Sequence, residues 1–135
     1  VDLVSWSSYD GMSDEVATWH GVELIRKHMR PSPTFGDKAV YIGEIGKPEK
    51  GVPREQIVEF WDRAMGVFLA MDIPWIVHWE LYCNEPADGT KPDRRLRREE
   101  EMRGFWWLKP DGTPGHGGEY LNRLLAHAGG RLPGL

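Results

Sequence analysis

The stretch KAVYIGEIG at residues 38–46 decides the fold class of this chain. Its side chains are almost continuously apolar, which is typical of a strand that is covered on both faces of a parallel sheet. An amphipathic helix follows, with an apolar stripe from Ile57 to Phe68, and the apolar run WIVHWELY comes next at residues 75–82. A strand, a helix and a strand in this order predict two parallel strands joined by a crossover helix.

The same alternation continues towards the N-terminus. Residues 2–6, DLVSW, are an apolar run that leads into a polar loop, as a strand does. Ser13 then has the character of a helix N-cap, and apolar residues recur at spacings of three and four from Val16 to Met29. This region therefore predicts a first strand and a first helix, with Trp19 of that helix in the core.

Towards the C-terminus the pattern changes. A long polar loop begins at residue 83, and its charged part, RRLRREEE at residues 94–101, predicts a short solvated helix because opposite charges recur at helical spacing. FWWL at residues 105–108 predicts a strand-like segment, whose two tryptophans either pack under the last helix or extend a ligand cleft. The last helix itself is predicted from the apolar residues at 120–128, and Gly129 and Gly130 are predicted to end it.

Together these elements predict one α/β domain, residues 1–135, made of about three parallel βα units. Two architectures fit this order: an open doubly wound sheet, and a section of a (β/α)8 barrel. Three strands cannot close a barrel of eight, so the barrel interpretation makes the chain a piece of a longer protein. The doubly wound alternative is weakened because the chain lacks a glycine fingerprint for a nucleotide.

Composition excludes several classes of function. The 135 residues carry 17 basic and 21 acidic side chains, a formal charge of −4, which argues against nucleic acid or an anionic membrane as a partner. No apolar run reaches the roughly 18 residues of a membrane span. One cysteine, Cys83, excludes a disulfide scaffold, and the histidines show no metal-ligand spacing, so we expect no metal site. The GHGG segment at 115–118 is a weak candidate for phosphate because it lacks a P-loop lysine.

Glu44 is the strongest single candidate for a functional residue. It lies at the end of the strand at 38–46, between Gly43 and Gly46, and strict alternation would put it on the same face as Val40 and Ile42. A carboxylate on a core face costs several kcal/mol unless it is paired or hydrogen-bonded. The residues alone leave two alternatives equally open: a functional carboxylate, or a structural one that binds a helix N-terminus or a buried arginine.

The order of YIGEIG, IPWIVHWELY and GFWWLKPDGTP, with a final amphipathic helix, resembles the end of a clan A glycoside hydrolase barrel of the cellulase-like family 5 type. In that pattern the seventh strand ends with the catalytic nucleophile, the eighth with a Trp under the sugar, and a Tyr after the sixth hydrogen-bonds the nucleophile. The resemblance thus implies Glu44 as nucleophile, Trp79 as stacking platform and Tyr9 as partner of Glu44. The opening VDLVSWSSYDG resembles the sixth-strand segment, although serines stand where the family often has a His.

The same resemblance implies the remaining site residues. Trp6 is expected to contact the sugar, and Asn84 and Glu85 are expected at the rim of the cleft. The family's acid/base is the Glu of an Asn-Glu pair that ends the fourth strand, so the acid/base is expected outside this chain. Residues 84–86, Asn-Glu-Pro, spell the same tripeptide. Either this is a coincidence, or Glu85 is the acid/base and its strand is a fourth strand; the order of elements favours coincidence.

The resemblance thus implies hydrolysis of a β-linked polysaccharide or glycoside without a cofactor, with a carbohydrate as the partner. The alternative is a non-catalytic carbohydrate-binding or interaction module in which Glu44 is structural. Because the outer strands of such a section would be unpaired edges, we also expect association with itself or with the rest of the barrel.

Overall fold

The computed structural model describes residues 3–7, 9 and 14–128. Three parallel strands form one sheet in the order β1-β2-β3, and three helices alternate with them or follow them. The elements are β1 Leu3–Ser7, α1 Glu15–Met29, β2 Ala39–Ile45, α2 Arg54–Ala70, β3 Ile76–His78 and α3 His116–His127. The predicted α/β class with parallel βα repeats is confirmed. No helix within the described ranges has both the length and the apolar character needed to cross a bilayer.

The chain divides into two compact units, which are described separately. The first contains the described residues up to Gly46 together with Asp62–His78, and therefore includes the sheet, α1 and the second half of α2. The second contains Lys47–Trp61 and the described residues from Trp79 onward, including α3.

Helix α1 begins one residue later than a cap at Ser13 would require, and Ser13 itself lies outside the described residues. Asp14 is the N-cap: its side chain accepts a hydrogen bond of 2.7 Å from the N–H of Ala17. Val22 is fully buried, but Trp19 is 43% exposed, so the prediction that Trp19 belongs to the core is wrong. Its ring lines an open groove between α1 and α2, where Gly66 presents no side chain to cover it.

Strand β3 is shorter than the apolar run that predicted it. Only Ile76–His78 pair with β2, because β2 ends at Ile45 and Ile45 is the partner of His78. The peptide bond between Trp79 and Glu80 is cis. Beyond His78 the chain has no strand of the described sheet to pair with. Period-two alternation therefore does not extend through residues 79–82.

The second unit has its own small core, made by Cys83, Met102, Phe105 and Trp106. The solvated helix predicted for residues 94–101 is wrong: only Glu99–Glu101 form a helical turn, of the 3₁₀ type. Glu101 explains the difference, because its carboxylate accepts hydrogen bonds from the side chains of Arg94 and Arg98 and folds this segment back on itself. These two arginines hold the pKa of Glu101 well below its usual range.

The aromatic segment 105–108 is not a strand in the described structure. Leu108 makes a single antiparallel bridge to Pro114 across a turn at Gly112, whose φ is +84°. Trp106 is buried, and a Cβ placed on Gly115 would lie 2.6 Å from its ring, so Trp106 packs against the start of α3. This outcome matches the alternative in which the tryptophans pack under the last helix. The predicted end of that helix at Gly129 and Gly130 lies outside the described residues.

Candidate active site

A β-bulge in β2 decides where the side chain of Glu44 lies. The pairing of β1 with β2 shifts register after Trp6, which pairs with Ile42, so that Ser7 pairs with Glu44. Paired residues of neighbouring parallel strands project to the same face of the sheet. Glu44 therefore shares a face with Ser7, and the prediction that it shares the core face with Ile42 is wrong. Bulges beside active sites commonly redirect a side chain in this way.

The phenol hydroxyl of Tyr9 donates a hydrogen bond to Oε1 of Glu44. Tyr9 is exposed and Glu44 is half-buried, so the pair is open to solvent at the C-terminal end of the sheet. Oε2 of Glu44 has no hydrogen-bonding or ionic partner among residues 3–7, 9 and 14–128. Glu44 thus combines one oxygen that is hydrogen-bonded to Tyr9 with one oxygen that has no partner in the described part of the chain.

Small side chains surround the strand position before Glu44. A Cβ on Gly43 would lie 3.1 Å from Oγ of Ser7 and 3.4 Å from Cβ of Ser5, so only glycine fits beside these two serines. The glycine signal in YIGEIG therefore has a local packing reason. The serines, in turn, line the same face of the sheet as Glu44 and leave it uncrowded.

Trp6 points to the other face of the sheet. A Cβ on Gly21 of α1 would come within 2.7 Å of the Trp6 ring, so the indole packs directly on the backbone of that helix. This contact accounts for the half-buried ring without a ligand. Sugar contact by Trp6 stays a prediction of the resemblance alone.

Trp79, in the second unit, is held from two sides. Its ring packs against the core cluster of Cys83, Met102, Phe105 and Trp106. Its indole N–H donates a hydrogen bond of 3.1 Å to Oε1 of Glu85. The other oxygen of Glu85 forms a 2.8 Å ion pair with Arg103. Both oxygens of Glu85 therefore have protein partners, and one of those partners is Trp79.

Asn84 and Glu80 form the turn that follows Trp79. The backbone N–H of Asn84 donates to Oε1 of Glu80 at 3.1 Å, whereas the Asn84 amide itself is exposed. Burial raises the pKa of Glu80 above its ordinary value and the nearby charge of Glu85 adds to this, while the hydrogen bond from Asn84 opposes it. Glu80 is a titratable group that inspection of the sequence did not select as a site residue.

Glu49 is a buried carboxylate that sequence reasoning missed. Only 6% of it is exposed, and it accepts hydrogen bonds from the N–H groups of His116 (2.6 Å) and Gly117 (2.7 Å) at the start of α3. The N-cap of this helix, Gly115, offers no side-chain acceptor, so Glu49 supplies the missing negative charge from a distant part of the chain. The glycine-rich segment considered for phosphate binding thus holds a carboxylate of the protein itself.

In the part of the chain that the structure describes, no group of three or more His, Cys, Asp or Glu side chains could hold a metal ion. Cys83 is buried as a free thiol in the small core. The structure thus brings Tyr9 to Glu44 in the first unit and Trp79 to Glu85 in the second.

Comparison with known proteins places this fold. No protein-family model matches the chain, and no curated protein matches it significantly in sequence. Among solved structures, a β-glucuronidase from Faecalibacterium prausnitzii is similar with a TM-score of 0.63 and 18% identity over 94% of this chain and 22% of that one. A GH39 β-xylosidase from Caulobacter crescentus is similar with a TM-score of 0.57 and 20% identity, over 93% and 26%.

A GH5_18 protein from Bifidobacterium longum, solved in complex with Manβ1-4GlcNAc, has a TM-score of 0.58 and 15% identity over 98% of this chain and 31% of its own. The chain therefore spans less than a third of the length of each of these proteins. It shares its fold with one segment of several glycoside hydrolases. The relation to clan A glycoside hydrolases that the motifs suggested is thus supported at the level of the fold.

Proposed function

We propose that this chain is the C-terminal section of the (β/α)8 barrel of a retaining glycoside hydrolase that acts on β-linked poly- or oligosaccharides. Glu44 is the nucleophile, Tyr9 positions it and Trp79 is the platform under the sugar. The observation that carries this proposal is the state of the Glu44 carboxylate: one oxygen is anchored by Tyr9 and the other is free among the described residues. Glu49 and Glu85 lack this property because both oxygens of each are occupied.

The chemistry follows from that geometry in two steps. In the first, Oε2 of Glu44 attacks the anomeric carbon, the glycosidic C–O bond breaks, and the leaving oxygen takes a proton from a general acid. In the second step, the residue that was the general acid acts as a base and removes a proton from water. The water oxygen attacks the anomeric carbon, and the bond between that carbon and Glu44 breaks. The resemblance assigns this acid/base to a glutamate outside the chain, at about 5–5.5 Å from the nucleophile.

The interactions of Trp79 suit a sugar platform. The small core behind its ring and the hydrogen bond from its N–H to Glu85 fix the plane of the indole. A fixed aromatic face packs well against the C–H face of a pyranose, while polar groups around it bind the hydroxyls. Glu85 then orients Trp79 at the rim of the cleft, which favours the interpretation that Asn84-Glu85-Pro86 is a coincidence.

The edges of the sheet fit the same proposal. Among the described strands, β1 and β3 each pair only with β2. In a complete barrel, neighbouring strands would pair with both edges. We therefore propose that this chain associates with the remaining strands of its barrel.

Covalent trapping tests the proposed nucleophile directly. We expect an activated 2-deoxy-2-fluoro glycoside to form a stable ester on Glu44 of the full-length protein, because fluorine slows release of the glycosyl-enzyme more than its formation. Peptide mass spectrometry locates the label, and the Glu44→Gln variant serves as the unlabelled control. A label on any other carboxylate, or none while turnover is observed, overturns the assignment.

Substitution Tyr9→Phe tests the positioning role of the hydroxyl. A hydrogen bond to a charged group contributes about 1.5–3 kcal/mol, so we expect kcat to fall by about 10- to 100-fold with a smaller change in KM. The matched control is Tyr41→Phe, which removes a hydroxyl from the same strand as Glu44 but not from its carboxylate. Equal losses in both variants, or a fall in Tm that parallels the fall in kcat, contradict a positioning role for Tyr9.

A further inference from the structure

A basic groove lies in the long loop that follows β3. It has a volume of about 930 Å³ and is lined by residues between Tyr82 and Pro110. Its charged lining residues are four arginines and one glutamate: Arg94, Arg95, Arg97, Arg103 and Glu85. We call it the arginine groove. A positive surface of this kind is unexpected in a chain whose formal charge is −4.

The arginines of the groove fall into two classes. Arg94 and Arg103 are neutralised, since Arg94 binds Glu101 at 2.7 Å and Arg103 binds Glu85 at 2.8 Å. The guanidinium groups of Arg95 and Arg97 have no ionic or hydrogen-bonding partner within the described residues. The uncompensated positive charge of the groove therefore comes from these two side chains.

The wall that carries the two free arginines is held in place. Leu96, which lies between them in sequence, packs against the core cluster of Cys83, Met102, Phe105 and Trp106. The Arg97 N–H also donates to Oε2 of Glu101 at 3.3 Å. The contacts of Leu96 and of the Arg97 N–H therefore fix the backbone between and beside the two arginines, and both side chains line the same groove.

The size and lining of the groove favour a saccharide over a small inorganic anion. Its volume lies in the range of sites that hold organic ligands, far above that of one sulfate ion. The exposed side-chain amide of Asn84, which has no partner among the described residues, is suited to sugar hydroxyls, and Tyr82 adds an aromatic surface. Guanidinium groups bind carboxylate and sulfate oxygens through paired hydrogen bonds.

We propose that the arginine groove binds the anionic group of an acidic saccharide, a uronate carboxylate or a sulfate ester, through Arg95 and Arg97. This inference rests on the proposed glycoside hydrolase function and names its substrate class. Asn84 is then a hydroxyl-binding residue of the same groove.

The test compares ligands that differ only in charge. We expect the full-length protein to bind a β-linked trisaccharide with one glucuronate at least tenfold more tightly than its methyl ester, in calorimetry at low salt. The double variant Arg95→Gln/Arg97→Gln loses this preference, whereas Arg123→Gln on α3, outside the groove, keeps it. The preference also shrinks at 0.5 M salt, as expected for exposed charges.

Two further comparisons distinguish which anionic group the groove binds. If a trisaccharide with one sulfate ester binds more tightly than the glucuronate trisaccharide, the groove is assigned to sulfated sugars. If the glucuronate trisaccharide binds more tightly, the groove is assigned to uronates. Inorganic sulfate that binds as tightly as either trisaccharide overturns the inference, as does equal binding of the glucuronate and its ester. Failure of the proposed function is distinct: the charge preference is then present, but no ligand is hydrolysed and no label forms on Glu44.

Discussion

Replacing Glu44 by Gln is expected to lower kcat of the full-length protein by about 10³-fold or more, while saccharide binding changes by less than about threefold. Gln has the shape of Glu and can still accept the hydrogen bond that Tyr9 donates to Oε1. It cannot attack an anomeric carbon, because its amide is a poor nucleophile. The measurement is kcat and KM on an aryl β-glycoside, with binding followed separately by calorimetry.

The control variant is Glu55→Gln, an exposed glutamate in the first turn of α2. It removes the same charge from the chain and is expected to leave kcat unchanged. A Glu44→Gln protein that keeps more than a tenth of the wild-type kcat contradicts the nucleophile. So does an equal loss in both variants.

A chemical rescue distinguishes a nucleophile from a carboxylate that merely supports the fold. In Glu44→Ala, azide can enter the space left by the side chain and attack the anomeric carbon from the same face. The expected product is a glycosyl azide with inverted configuration, formed at a rate that rises with azide concentration. A structural Glu44, as in a non-catalytic binding module, predicts no azide adduct at any concentration.

The regular part of the fold could be predicted from the sequence because it depends on local patterns. The runs at 38–46 and 75–82 and the stripe on α2 each contain their own periodicity, and Ile57, Trp61 and Phe68 are all buried. Where β3 ends could not be predicted in this way. Its length depends on how far β2 extends as a pairing partner, which is a property of the sheet and not of the apolar run.

The orientation of the Glu44 side chain could not be predicted from the sequence for a related reason. Strict alternation put its side chain with Ile42, but a bulge between Ile42 and Ile45 places both isoleucines in the core and Glu44 on the open face. One extra residue in a strand reverses every inference about faces beyond it. The paired glycines around Glu44 were the available signal, since glycine in a strand often marks a bulge.

Glu49 shows which kind of site residue sequence reasoning misses. It lies in a loop rich in Gly, Pro and Lys, where a glutamate is normally solvated, and its partners are 67 and 68 residues away. The sequence does contain an indirect signal for Glu49 at the start of α3. This helix begins after Gly115, which has no capping side chain of its own. Such a helix start requires an acceptor from elsewhere in the chain.

Substitution Glu49→Ala is expected to destabilise the second unit by about 2–4 kcal/mol, because it leaves one part-buried and one buried N–H group at the start of α3 without an acceptor. The Glu49→Gln substitution is expected to lower the stability of the second unit by about half as much. Its amide retains one acceptor oxygen for His116 or Gly117, but it brings an NH2 group to the other and loses the favourable charge at the helix N-terminus.

Amide hydrogen exchange at residues 116–121 measures this effect locally, and we expect about 30-fold or greater loss of protection in Glu49→Ala. The exposed Glu100→Ala serves as control and should shift stability by less than about 0.5 kcal/mol. Glycines 115 and 117 are part of the same arrangement, since a Cβ on them would lie 2.7 and 2.9 Å from the Glu49 oxygens. If Glu49→Ala leaves exchange at His116 and Gly117 unchanged, the carboxylate does not hold the helix, and its burial would have no structural explanation.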